Sequence, residues 1–218
     1  MLSLNIETST NLTSVSLSEA NCVKNILNVN SERPNHCELL VPLITELFVK
    51  SSITIENINQ IRVNVGPGNL SSLRVGISTA NALSSYGRIP VYGISSFLLY
   101  GFSYEQKSEN LVTLFDLKND LFAYAKFKRS SDGIKLTEQN FKITLNDFSQ
   151  LDMGDSIVIG SGLHKVQLSK FNKFPNFSLD NEFSIDSSSL AKININMNSK
   201  HISKNIPLMP FNSFSFVS

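Results

Sequence analysis

Tryptophan is missing from this 218-residue chain, cysteine occurs twice, and charged residues make up only 17%. Each shortage excludes something. Two thiols, Cys22 and Cys37, cannot form a disulfide framework, and no Cys-x-x-Cys pair is present. They read as ordinary reduced thiols. A formal net charge of +1 leaves no basic field with which to hold nucleic acid by charge alone. No run approaches the roughly 18 apolar residues that a membrane span needs. The first ten residues, MLSLNIETST, lack the basic and apolar regions of a signal peptide. These absences predict a cytoplasmic protein.

Chemical motifs are also scarce. The histidines, His36, His164 and His201, are far apart, and only His36 has a Cys neighbour, Cys37. Adjacent residues rarely ligate the same ion in such geometries, so a metal centre is not expected. No G-x-S-x-G elbow and no Walker loop appear. No stretch interleaves Lys or Arg with aromatics as an RNA-stacking surface would.

What is present is pattern. Leu2, Leu4 and Ile6 alternate with polar residues, as do Val15 and Leu17, and Val23 to Val29 form a third run. With polar breaks between them, these predict an antiparallel three-strand meander. Pro34-Asn35 then opens a helix carrying Leu40, Leu43, Ile44, Leu47 and Phe48 on one stripe. Leu39 and Val41 fall outside that stripe. The extra apolar surface fits either a deeply buried helix or a second face kept for a partner. A strand at 61–65 leads through Gly66-Pro67-Gly68 into a helix over 71–86. There Ser72, Gly76, Ala80 and Ser84 make a ridge of small residues that lets another backbone approach. A strand at 89–94 follows. Meander, helix, strand, helix, strand is the order of a ribonuclease-H-like, actin-type domain.

Beyond a polar stretch at 103–110, strands are predicted at 111–116, 121–127, 134–136 and 157–159. Turns are read at 118–120 and 130–133, and a helix over 187–193. The second half thus repeats the first in outline. The domain division predicted is 1–102 and 103–218.

Two clusters could carry function. Glu7, Thr8 and Ser9 end the first strand, and Gly66 and Gly68 flank a helix start. Backbone amides and hydroxyls there could face a phosphate. A well-formed hairpin turn is the simpler account of Glu7, Thr8 and Ser9, and the 66–68 loop alone is weak evidence for a nucleotide. The second cluster is the helix pair itself.

In order and spacing these blocks resemble the TsaB family of tRNA threonylcarbamoyladenosine biosynthesis proteins. The blocks are LSLNIETST (2–10), HCELLVPLI (36–44), GPGNLSSLRVGIS (66–78), and the run Ile89-Pro90-Val91 to Gly93-Ile94-Ser95-Ser96. They cover the first hundred residues; FDLKNDLFAYAKF (115–127) and Gly160-Ser161-Gly162 add to them. The family usually has Asp where Glu7 stands, and Ser-Phe-Thr-Gly where Asn69-Leu70-Ser71-Ser72 stands. It ends Pro-x-Tyr-x-Arg where this chain ends PLMPFNSFSFVS. The resemblance implies an α/β, actin-like ATPase (ribonuclease-H-like) two-domain fold with a reduced second domain. It implies a non-catalytic subunit, without cofactor, of the complex that forms N6-threonylcarbamoyladenosine at position 37 of transfer RNAs. Its partners would be the catalytic subunit TsaD and, through the complex, the ATPase TsaE, with tRNA met only indirectly. TsaD carries metal-binding histidines in the segment matching Ser95–Tyr100, where this chain has none. The family pairs through its first two helices, which would put His36, Leu39, Leu40, Leu43, Leu47, Ser72, Arg74, Gly76 and Ala80 at the interface. The same face predicts a homodimer when the chain is alone. The alternative kept open is an ATP-dependent, kinase-like enzyme of the same superfamily using Glu7 and the 66–68 loop.

Overall fold

The computed structural model describes residues 1–30, 35–106, 108–131, 133–168, 177–180, 182–196, 200–204 and 207–211. Pro34, Asp132 and the tail from Asn212, all used in the sequence reading, lie outside the described residues.

The chain divides into two compact units. Unit 1 comprises 1–99 and 185–211; unit 2 runs from 100 to 184. The division differs from a simple halving of the chain, because residues 185–211 return to the first unit.

Unit 1 holds the expected meander, β1 (Leu2–Glu7), β2 (Leu12–Glu19) and β3 (Cys22–Asn30), then α1 (His36–Lys50), β4 (Gln60–Gly66), α2 (Leu70–Gly87) and β5 (Val91–Ser95). α3 (Ser96–Ser103) follows directly, its first half in unit 1 and its second half in unit 2, and its mixed apolar run SFLLYGFS carries no periodicity that would have announced it. α6 (Ser187–Ala191) and β11 (Ile202–Ser203) belong to the returning segment. The sheet order is β11-β5-β4-β1-β2-β3, with β1 antiparallel to β2 and parallel to β4.

Unit 2 contains β6 (Asn110–Asp116), β7 (Leu121–Ser130), β8 (Gly133–Thr144), α4 (Leu145–Ser149), β9 (Ser156–Ile159), α5 (Leu163–Leu168) and β10 (Phe177–Asp180). Its sheet order is β10-β9-β6-β7-β8, with β6 antiparallel to β7 and parallel to β9. Read in chain order, both sheets place three antiparallel strands first and then two parallel ones beyond the first strand. This repeated order is a ribonuclease-H-like unit used twice, as the actin-like reading requires. Unit 2 is the leaner copy: its described helices have five or six residues, against 15 and 18 for α1 and α2.

The faces of the first sheet are chemically opposite, since side chains alternate along each strand. Leu4, Ile6, Val15, Leu17, Ile61 and Val63 form one core with Leu40, Leu43 and Leu47 of α1 and Leu73, Ile77 and Ala80 of α2. The other face presents Ser3, Asn5 and Glu7 on β1, Ser14, Ser16 and Ser18 on β2, and Gln60, Arg62 and Asn64 on β4. All nine are buried. α6 covers this polar face. Ser14 Oγ donates to Ser187 Oγ at 2.8 Å, and Arg62 Nη1 donates to the carbonyl oxygens of Leu190, Ala191 and Ile193 at 3.0–3.2 Å. Unit 2 has its own core, including Val112, Leu114, Phe122, Phe148 and Val158. Among the described residues no helix is long and apolar enough to cross a membrane.

Candidate functional site

The strand-end residues and the 66–68 loop lie together, and the cluster closes on itself. Glu7 is fully buried. Ser9 N donates to its Oε1 at 2.6 Å and Asn64 Nδ2 to its Oε2 at 2.7 Å. The Asn64 amide also reaches Ser9 Oγ (3.1 Å), while its Oδ1 accepts from Gly66 N (2.8 Å) and Ser96 Oγ (2.9 Å). Asn64 is therefore the hub, a residue that its setting between Val63 and Val65 made look like ordinary strand. Burial pushes the Glu7 carboxyl up to about 7, against the lowering pull of these donors. Thr8 Oγ1 donates to Ser72 O at 2.9 Å. Gly66 lies at φ +98°, where a side chain would be strained and a Cβ would stand 2.7 Å from Leu73 Cδ1. Gly68 is packed so that a Cβ would meet Ser9 Cβ at 3.2 Å. The donors and hydroxyls that could have faced a phosphate are largely spent on one another.

The helix pair requires a correction. Leu40, Leu43, Leu47 and Ala80 are core residues of unit 1, and Ser72 and Gly76 are buried with them. The ridge of small residues on α2 serves the chain's own sheet. A Cβ at Gly76 would lie 2.6 Å from Thr8 Oγ1, so glycine permits the close approach of α2 to β1. All six residues are buried, Leu43 at 7%, and they offer a partner almost no surface. His36 is also buried. Its Nε2–H donates to Thr10 O (3.0 Å), which leaves Nδ1 to accept from Thr13 Oγ1 (2.8 Å). Burial holds its pKa below the ordinary value, in keeping with a neutral ring pinning the start of α1 to the β1–β2 turn. Of the expected interface residues, Arg74 is exposed and Leu39 half-buried.

A different set of side chains occupies the outward face. Seven large hydrophobic residues stand exposed among those described, and four lie on these two helices: Val41 (57%), Val49 (72%), Leu70 (40%) and Tyr86 (78%). On α1 Thr45 lies between Val41 and Val49; on α2 Arg74, Ser78, Ala82 and Ser85 line the solvent side. Both helices cover the same apolar sheet face, so their outward sides look the same way. Val41, off the buried stripe, was the visible sequence signal for this face. The stretch matching the TsaD metal segment, Ser95–Tyr100, is buried along its whole length. Among the described residues no group of three or more His, Cys, Asp or Glu side chains is placed to hold a metal ion.

The family model described as "TsaD: tRNA N6-adenosine threonylcarbamoyltransferase" matches residues 29–206, most of the chain. The chain belongs to this family, on its TsaB branch. The branch is set by similarity to the tRNA threonylcarbamoyladenosine biosynthesis proteins TsaB of Buchnera aphidicola (subspecies Schizaphis graminum) and Escherichia coli. The first is 24% identical over 65% of this chain and 70% of that protein; the second is 21% identical over 58% of each. With the E. coli relative the match thus spans less than two thirds of its length. A solved structure, YeaZ from Pseudomonas aeruginosa, superposes with a TM-score of 0.69 at 19% identity, covering 88% of this chain and 89% of that one. It shows the same fold. A transferase of the same family from Bifidobacterium longum is 37% identical, but over 28% of this chain only. TsaB-branch membership thus rests on matches extending well beyond the motif-rich N-terminal blocks.

Proposed function

We propose that the chain works in tRNA threonylcarbamoyladenosine biosynthesis as a non-catalytic cytoplasmic subunit that docks the transferase TsaD through the outward face of α1 and α2. TsaE and tRNA are met through that complex, and in the partner's absence two copies pair through the same face. The supporting observation is the concentration of exposed Val41, Val49, Leu70 and Tyr86 on two neighbouring helices, with Arg74 as a charged member. Scattered exposed apolar side chains need no explanation; four of the seven falling on two neighbouring helices that cover one sheet face do. The non-catalytic role draws support from Ser95–Tyr100, whose buried Ser, Phe, Leu and Tyr side chains offer no imidazole or thiolate. The kinase-like alternative gains no observation in its favour, because Glu7, Ser9 and Gly66 are engaged with Asn64.

The test pairs the purified chain with TsaD from the same cell. The chain alone should transfer no threonylcarbamoyl, and addition of TsaD should give activity that exceeds TsaD alone. Val41→Glu combined with Tyr86→Glu should abolish co-elution with TsaD while leaving the melting temperature unchanged, since both side chains are solvent-exposed. Unaltered co-elution of the double variant would sink the proposed face. Full TsaD activity without this chain would sink the role.

A further inference from the structure

The last turn of α2 and the single 3₁₀ turn Ile55–Asn57 leave a small hollow between them in unit 1. Its volume is about 280 Å³, and it is lined by Ile55, Glu56, Ile58, Tyr86, Gly87 and Ile89. Ile58 and Ile89 are buried and Ile55 is half-buried, so the floor is apolar. Glu56 and Tyr86 are the exposed polar members of the lining. The Thr54 hydroxyl donates to Glu56 Oε2, and this bond holds the carboxyl below its ordinary value. Glu56 is therefore ionised at neutral pH, yet among the described residues no cation pairs with it. The hollow is smaller than the usual small-molecule site and takes one long side chain. An apolar floor between a carboxylate and an aromatic ring selects a cation on an apolar stem. The stem lies over the isoleucines and the head between Glu56 and Tyr86. A guanidinium suits both at once, since its plane stacks on a ring while its edge donates to a carboxylate.

The chain carries such a side chain on the same helix. Arg74 is exposed, and it too has no ion-pair partner among the described residues. Arg74, Ser78, Ala82 and Tyr86 follow one another at i, i+4 spacing, so they form one row along α2, and all four are exposed. From Arg74 to Tyr86 is about 18 Å along the helix axis, too far for Arg74 to reach the hollow of its own chain. A two-fold axis between Ser78 and Ala82 lays this row antiparallel on itself. Ser78 then faces Ala82 of the second copy, and Arg74 faces Tyr86 of the second copy. The small residues fall at the centre, where two helices can approach closely, and the long ones fall at the two ends, beside the hollows.

We propose that two copies of this chain pair antiparallel along α2, each placing Arg74 in the other's hollow between Glu56 and Tyr86. This rests on the reading of α1 and α2 as the docking face, and it fixes the register in which the copies meet. Analytical ultracentrifugation of the full chain without TsaD tests it. The parent should dimerise at micromolar concentration. Arg74→Glu and Glu56→Arg should each weaken the dimer about a hundredfold, about tenfold for each of its two symmetric contacts. Both positions are exposed, so circular dichroism should show the fold intact. An equal mixture of the two variants should dimerise again. In the mixed pair the exchanged charges face one another at one end, and the native Arg74 and Glu56 do so at the other. No recovery in the mixture, an Arg74→Glu variant as dimeric as the parent, or a parent that stays monomeric at millimolar concentration would each overturn the proposal. If any of these occurs while Val41→Glu with Tyr86→Glu still loses TsaD, the register fails and the docking face stands.

Discussion

Glu7 and His201 are both buried titratable groups, and their linkage to folding runs in opposite directions. Burial raises the Glu7 carboxyl from 4.5 to about 7, so the folded chain keeps a proton that the unfolded chain releases. That contribution is complete below pH 4.5 and is lost as pH rises towards 7. Burial lowers the His201 imidazole from 6.5 to about 4, with Lys200 adding to the effect. The unfolded chain then binds the extra proton, and stability falls as pH drops from 6.5 towards 4. Each shift corresponds to about 3 kcal/mol at its limit. Between pH 4.5 and 6.5 these two nearly offset one another, which leaves the smaller rise with pH that the lowered His36 supplies. Glu7→Gln removes only the first limb. The variant loses absolute stability, because a Gln amide would face the Asn64 amide, but the slope is what matters. Urea midpoints of the variant should rise across pH 4.5–6.5 by the equivalent of about 3 kcal/mol more than the parent's; a profile no steeper than the parent's would refute the assignment. Sequence alone placed Glu7 at a strand end beside Thr8 and Ser9. It could not reveal Asn64 as their common partner, because that pairing depends on the parallel register of β1 with β4.

At the scale of elements, α1 and α2 were legible to within a residue or two, since each carries a sustained apolar stripe and α2 has Asn69 as a cap accepting from Ser72 N. Which way α2 turned its small residues was not legible. A Ser-x-x-x-Gly-x-x-x-Ala ridge says only that some backbone comes close, and β1 of the same chain answers as well as a partner. The contact makes a sharp prediction. Gly76→Ala forces a Cβ within 2.6 Å of Thr8 Oγ1, a side chain held by its bond to Ser72 O. The cost should be about 1–3 kcal/mol, read as a lowered melting temperature. Thr8→Ala removes the clashing oxygen, so the double variant should be more stable than the sum of the single changes. Strict additivity would show that the contact is not the cause. The short elements, α3, α4 and α5, went unread in the sequence because five to eight residues carry too little periodicity.

On the scale of the whole molecule, the return of residues 185–211 to unit 1 is what the sequence concealed. Alternation in β1 and β2 announced two chemically different sheet faces but not what lies on the polar one. Ser3, Asn5, Glu7 and their neighbours are covered by a segment more than 120 residues away, and polar residues at the strand faces carry no mark of who covers them. Arg62 is the fastening. Its Nη1 meets three carbonyl oxygens around the end of α6, where backbone acceptors run short of donors; of the three, Leu190 O also accepts from Ile193 N at 3.4 Å. A cation is favoured there by the helix dipole as well as by the hydrogen bonds. Asn81 ties the same return further along, donating Nδ2 to Leu208 O at 3.0 Å and accepting from Leu208 N at 2.9 Å. Arg62→Met keeps the apolar stem and removes the donors. It also removes Nε, which has no partner among the described residues, so part of the loss is recovered. A net destabilisation of about 2 kcal/mol follows from leaving buried carbonyls unmet. The diagnostic readout is amide hydrogen exchange. Protection should fall first and most at 187–193, while α1 and the apolar face of the sheet exchange at a rate changed only by the global loss. If exchange quickened uniformly, or if 187–193 remained as protected as in the parent, Arg62 would not be what holds the returning segment on the sheet.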